Sequence, residues 1–264
     1  MATRPASRKE AGLIHEGLTM LTFEEIKSWS EEEARERLAS SDTDVANILR
    51  VAAEAGIADA QALYGQMNLD GKGIERDEAE ALRWFSQAAK AGHPMAMNMI
   101  GRCCEFGWGT TIDKSLAAQW YDAAARLGLD WGMYNLATLY CLGEGVSVDR
   151  KEAYRLFEAA AKLGHAKSVN MLGGFYEDGW VVEKDMEIAA SLYRQAAEAG
   201  DFRGEFNHAR MLIAQARWAE AQAWIAKIPG TATDMFVEKV RQWLAHHPEP
   251  LVRPLAKVLC GKPG

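Results

Sequence analysis

The sequence predicts an all-α protein, a right-handed superhelical solenoid of helix-loop-helix units, and three observations carry that prediction. Gly71, Gly107, Gly143 and Gly179 recur at a step of 36 residues, as do Gly92, Gly128, Gly164 and Gly200. Asp77, Asp113, Asp149 and Asp185 keep the same step. So do the alanine pairs Ala88/Ala89, Ala124/Ala125, Ala160/Ala161 and Ala196/Ala197. A fixed period of this size marks units that cannot bury their apolar faces alone and therefore stack.

Taken in order, residues 1–20 read as a weakly ordered segment. Residues 21–56 read as N-terminal capping helices and a degenerate half repeat. Thr22 with Glu25 and Ser30 with Glu33 fit capping boxes, in which hydroxyl and carboxylate satisfy free backbone N–H groups reciprocally. The run Glu31, Glu32, Glu33 suits the positive end of a helix dipole. Gly56 and Ala52/Ala53 fall one period before Gly92 and Ala88/Ala89, so 43–56 is expected to be a second helix. Residues 57–200 hold four full units. In each, a glycine stops the first helix in the left-handed conformation, an aspartate caps the second, and a glycine ends it. The small residues Gly65, Gly101, Ala137 and Gly173 lie inside the first helices, where glycine costs about 1 kcal/mol. They imply close approach of the paired helix, with the alanine pairs expected as the matching surface. Residues 201–264 read as a degenerate helical pair with a tight turn at Gln215–Ala216–Arg217, ended by Pro229–Gly230. Two capping helices, Thr233 to His246 and Leu251 to Cys260, follow it.

The first full unit, with Ala60, Gly65, Gly71, Gly73, Asp77, Ala81, Trp84, Ala88, Ala89 and Gly92, resembles the Sel-one-like repeat family, a longer-looped relative of the tetratricopeptide repeat. Trp120, Leu156 and Leu192 take the place of Trp84 in the later units. The resemblance covers about 57–200. It implies an adaptor or scaffold for protein complexes and brings no catalytic residue with it.

A net charge of −7 argues against a nucleic-acid partner, which needs a basic face. No stretch reaches the apolar length of a membrane span. The opening MATRPASRKEAGLIHEG lacks the continuous apolar run of a secretory signal, so a cytoplasmic location is expected. Cys103, Cys104, Cys141 and Cys260 do not follow the period and form no C-x-x-C pair, which points to reduced thiols rather than disulfides or zinc. A secreted, cysteine-rich branch resembling these repeats, linked to binding β-lactams, carries a regular cysteine pair that this chain lacks. The histidines form no shared ligand set, and no G-x-S-x-G, phosphate-loop or H-E-x-x-H motif occurs. No enzymatic activity, metal or cofactor is expected.

In tetratricopeptide-like arrays the first helices line the concave face. Positions three before, one after and four after each small residue then give Asn98, Arg102 and Glu105, next Tyr134, Thr138 and Cys141, and finally Asn170, Gly174 and Glu177. Trp131 joins them. Tyrosine, tryptophan and arginine are the types enriched at interface hot spots, so the expected partner is a protein or peptide in this groove. Packing between units accounts for Tyr134 and Trp131 equally well. Trp108 and Trp180 share one loop position and are possible contacts, although folding back over the helix beneath explains them somewhat better. Two other functions stay open: an immunity or inhibitor protein that blocks a toxin or enzyme, and a binder of small molecules or cell-wall fragments.

Overall fold

The computed structural model describes residues 21–260, so the expectation for residues 1–20 lies outside the described residues. Three helices open it: α1 (Phe23–Ser28), α2 (Glu31–Leu38) and α3 (Asp42–Glu54). Four hairpins follow: α4 (Ala58–Asp70) with α5 (Glu78–Lys90), α6 (Pro94–Phe106) with α7 (Lys114–Arg126), α8 (Asp130–Leu142) with α9 (Arg150–Lys162), and α10 (Ala166–Asp178) with α11 (Met186–Glu198). The chain ends with α12 (Phe202–Ala214), α13 (Trp218–Ile225), a short α14 (Ile228–Thr231), α15 (Asp234–Ala245) and a 3-10 helix, Arg253–Cys260. There is no strand among the described residues.

Local chemistry sets the helix ends. The carboxylates of Asp77, Asp113, Asp149 and Asp185 accept the backbone N–H groups of Glu80, Leu116, Glu152 and Ile188, satisfying donors with no intrahelical partner. Thr22 and Ser30 form the complete capping boxes read from the sequence. The stop glycines Gly71, Gly107, Gly143 and Gly179 have φ from 68° to 79°, and their N–H groups close onto carbonyls four residues back.

Inside each hairpin the structure corrects one expectation. The small residue of the first helix faces an aromatic ring of the second helix, not the alanine pair. A Cβ on Gly65 would lie 2.8 Å from the Phe85 ring, and one on Gly101 or Gly173 would lie 2.6 Å from Tyr121 or Tyr193. Phe85, Tyr121, Phe157 and Tyr193 are themselves one step of 36 apart and buried. Burying each ring is worth about 1.5–3 kcal/mol, which a flat alanine surface could not supply. The alanine pairs instead receive the next unit. A Cβ on Gly132 would lie 2.8 Å from that of Ala124, and one on Gly204 would lie 2.7 Å from that of Ala196. Ala60, Ala96, Gly132, Ser168 and Gly204 form this second small column, so the alanines set the stacking distance between hairpins.

Curvature follows from which helices meet. The first helices α6 with α8 and α10 with α12 touch across units, an approach that no pair among the second helices α5, α7, α9 and α11 makes, although α4 with α6 and α8 with α10 do not make it either. The first helices therefore lie on the inside of the bend.

The loops lean on the preceding unit. Gly73, Gly109 and Gly145 have φ of 72°, 65° and 71°, and a Cβ there would collide with the backbone at Asp42, Glu78 and Lys114, the first residues of the preceding second helices. In the fourth unit Val181 occupies this place with φ 66°, closed by a 2.7 Å bond from the Val182 N–H to the Trp180 carbonyl. A β-branched residue there is strained, and its side chain stays exposed.

The C-terminal end differs from expectation in two places. Gln215–Ala216–Arg217 is the tight turn, with Ala216 at φ 57°. Pro229 and Gly230, however, lie inside α14, because proline in a first helical turn removes an N–H that has no partner anyway. The last segment is 3-10 rather than α-helical. Leu255 and Leu259 within it, and Val252 just before it, are buried against a core that includes Ile225, Val240 and Leu244.

Candidate interaction groove

The inner surface is built by α6, α8, α10 and α12, and its side chains divide into those used between units and those left available. Asn98 is only 3% exposed, and its Oδ1 accepts a 2.8 Å hydrogen bond from Asn135 Nδ2 on the next first helix. Asn170 repeats this with Asn207 at 2.8 Å. Glu105 accepts a 2.5 Å hydrogen bond from the Tyr121 hydroxyl, and Glu177 accepts one from Tyr193 at 2.6 Å. Glu177 is also held by Arg210 of α12 through bonds of 3.1 and 2.9 Å. Four of the sequence-predicted groove residues thus serve as internal fasteners. Burial pushes the Glu177 carboxyl up, but its bonds from Arg210 and Tyr193 prevail and hold it below the usual carboxylate range.

The centre of the groove is aromatic. Trp131 is 36% exposed and meets Tyr134 edge-on, with ring centroids 6.2 Å apart. His165 lies 4.6 Å from the Trp131 ring and 4.9 Å from the Tyr134 ring. Lys167 Nζ sits 4.7 Å over the Trp131 ring. The Thr138 hydroxyl donates to the Tyr134 carbonyl at 2.9 Å, fixing the same turn of α8. Arg102 on α6 stacks 4.8 Å from the loop residue Trp108. Cys141 and Gly174 are half-buried farther along.

His165 is a helix cap. Its Nδ1 accepts the Ser168 N–H at 3.3 Å and lies 2.9 Å from Ser168 Oγ, while Nε2 is buried with no partner. Burial pulls its imidazole pKa down, Lys167 adds to this and Asp130 opposes it. The Lys167 ammonium is pulled down by burial and by Arg203 and Arg102, with Asp201 opposing. Burial, opposed by Arg203, pushes the Tyr134 phenol up. The sequence reading missed His165, Lys167 and Arg203, although Trp131, Lys167 and Arg203 are themselves one step of 36 apart.

Both loop tryptophans fold back while keeping an exposed edge. Trp108 packs 5.1 Å from Phe106, and Trp180 lies 5.8 Å from Phe175 with Arg150 4.6 Å above it. Burial pushes the Cys103 thiol up to about 12 and also raises Cys104 and Cys141, so all three stay protonated and weakly nucleophilic at neutral pH. Among the described residues no group of three or more His, Cys, Asp or Glu side chains is placed to hold a metal ion. No helix among them is long and apolar enough to cross a membrane.

A curved stack of helical hairpins with an inner groove of aromatic and polar side chains defines a helical-repeat protein. The Sel1 repeat family matches residues 58–93, 94–129, 132–165 and 166–201, more than half of the chain, and the protein belongs to that family. Sel1 repeats generally mediate protein–protein interaction. No curated protein matches the chain. Among solved structures it is similar to c5321, a protective antigen of uropathogenic Escherichia coli strains with an SLR fold, at 26% identity and a TM-score of 0.67. That match covers 87% of this chain and 52% of the antigen, so the chain spans about half its length. A Sel1 repeat protein from Oxalobacter formigenes is similar at 22% identity and a TM-score of 0.66, over 81% of this chain and 97% of that one. The immunity protein Pa5087 from Pseudomonas aeruginosa is similar at 17% identity and a TM-score of 0.53, over 76% of this chain and 75% of that one.

Proposed function

We propose that the protein is a non-enzymatic adaptor that holds a segment of another protein in its inner groove, centred on Trp131 and Tyr134. The observation that carries this is the partly exposed aromatic pair at the middle of the concave surface, beside an ammonium and a guanidinium that form no ion pair among the described residues. Large aromatic rings bury much area at small entropic cost, and concave surfaces let a ligand lose water on several sides at once. Trp131, Tyr134, Thr138 and Arg102 form the contact set. Asn98, Glu105, Asn170 and Glu177 support it by holding neighbouring units together.

Site-specific photocrosslinking tests the groove. A benzophenone side chain at position 131 or 138 should trap one partner protein in the source cell. The same group at Arg155 or Arg194, on the outer helices α9 and α11, should not. Equal capture from inner and outer positions would overturn the assignment. An inhibitor or immunity role would use the same groove. It is distinguished by whether the trapped partner loses its own activity when bound; the similarity to Pa5087 reflects the fold alone.

A further inference from the structure

The second residue of each first helix forms a column of Asp59, Met95, Trp131, Lys167 and Arg203. Along the solenoid this inner column passes from acidic to aromatic to basic. Lys167 lies over Trp131 at 4.7 Å, and Arg203 lies 4.5 Å from the Phe202 ring and 5.9 Å from the Phe236 ring. Arg102 enters the same region from α6 and is held against Trp108. Among the described residues none of these three cations forms an ion pair, although the chain as a whole carries −7. The carboxylate nearest to them in charge, Asp201, is only 4% exposed; its Oδ2 caps α12 by accepting the Gly204 N–H at 2.8 Å, and it leaves Oδ1 without a partner. Glu105 and Glu177 are taken by Tyr121, Tyr193 and Arg210. Three positive groups therefore lie around the aromatic rings, and the carboxylates beside them, Asp201 and Asp130, are each engaged as backbone acceptors, Asp130 Oδ1 from the Trp131 N–H at 2.7 Å.

Resting on the groove assignment above, we infer that the occupant is an acidic segment of a partner protein, with an apolar side on Trp131 and Tyr134 and carboxylates on Arg102, Lys167 and Arg203. Stacking on Trp131 and on Trp108 holds Lys167 and Arg102 in place, so little side-chain freedom remains to be lost when a carboxylate arrives. The length scale favours a peptide over nucleic acid. Screening confines the attraction to about 8 Å at physiological salt, enough for a few carboxylates, whereas a phosphate chain would extend over the acidic remainder of the surface.

Fluorescence anisotropy of the full-length protein with a labelled oligoglutamate peptide tests this, with oligolysine and oligothymidylate of equal length as competing probes. Oligoglutamate should bind, and its affinity should fall about tenfold between ~0.05 M and ~0.3 M salt. The double variant Lys167→Gln/Arg203→Gln should weaken it about tenfold while far-UV circular dichroism stays unchanged. Oligolysine should not bind. No oligoglutamate binding, an unaffected double variant, or tighter binding of oligothymidylate would overturn the inference. The photocrosslinking result separates the two failures. Capture from position 131 without oligoglutamate binding leaves the groove intact with a non-acidic occupant, and loss of both removes the groove as well.

Discussion

The second and fourth hairpins differ from the first and third at the same two positions, the ring of the second helix and the residue that faces it, and the difference explains residues that resemble a binding site in sequence. In the second and fourth units the small residue, the residue four later and the ring of the second helix are Gly101, Glu105 and Tyr121, then Gly173, Glu177 and Tyr193. In the first and third they are Gly65, Leu69 and Phe85, then Ala137, Cys141 and Phe157. Where the ring carries a hydroxyl, a glutamate accepts its hydrogen bond; where it is phenylalanine, the partner is apolar. A buried phenol without a partner would cost about 1–3 kcal/mol, so the glutamate follows the tyrosine. The lesson is that a carboxylate on an inner helix face can be a partner of the core rather than of a ligand.

The largest test of the comparison enlarges the crossing itself. Gly101→Leu should destabilise by about 1–3 kcal/mol, because even a Cβ would meet the Tyr121 ring at 2.6 Å. Ala137→Gly in the third unit should cost about 1 kcal/mol, from helix propensity and a lost methyl contact with its buried surroundings. Urea unfolding measures both, and an unchanged midpoint for Gly101→Leu would break the account of the small column.

Removing Arg210 sharpens the contrast between the two tyrosine units, since only Glu177 has an arginine from the next unit. Arg210→Ala should cost about 1–3 kcal/mol at neutral pH. The folded pKa of Glu177 is lowered, so its contribution is present above the ordinary carboxylate value of about 4.3 and is lost as pH falls through the folded value. The difference between variant and wild type should therefore shrink under acid unfolding; a constant difference would place the effect elsewhere.

Swapping the rings comes next in size. Phe157→Tyr should destabilise by about 1 kcal/mol because Cys141 cannot replace a carboxylate, and the double variant Phe157→Tyr/Cys141→Glu should recover stability. Additive effects in that double-mutant cycle would deny the pairing. The smallest effect belongs to the loops. Val181→Gly should raise stability by up to about 1 kcal/mol, by relieving a positive φ on a β-branched residue, net of the entropy that glycine adds to the unfolded chain. A lower melting temperature would show that Val181 contributes contacts that outweigh its strain.

Much of the fold is legible without coordinates because its signals are local. A glycine that stops a helix, an aspartate three residues before the N–H it caps, and a threonine or serine paired with a glutamate act within a single turn. Their recurrence at one step reveals the stacking. The groove is less legible. Asn98, Glu105, Asn170 and Glu177 lie on the predicted helix faces, but Asn135, Tyr121, Asn207, Tyr193 and Arg210 occupy them from other helices. The aromatic column of Phe85, Tyr121, Phe157 and Tyr193, and its alternation with leucine, glutamate, cysteine and glutamate, could have revealed half of this from sequence alone.

The sequence by itself determined the period, the glycine stops of the repeat helices and their aspartate caps, because each depends on backbone groups and side chains a few residues apart. Only the tertiary structure decided that the small residues of the first helices meet the rings and that the alanine pairs meet the next hairpin. It alone also showed which inner polar groups are satisfied, and that Lys167 over Trp131, Arg102 over Trp108 and Arg203 over Phe202 form no ion pair among the described residues. These depend on distances between helices set by packing, and side chains 16 to 37 residues apart compete there for the same hydrogen bonds.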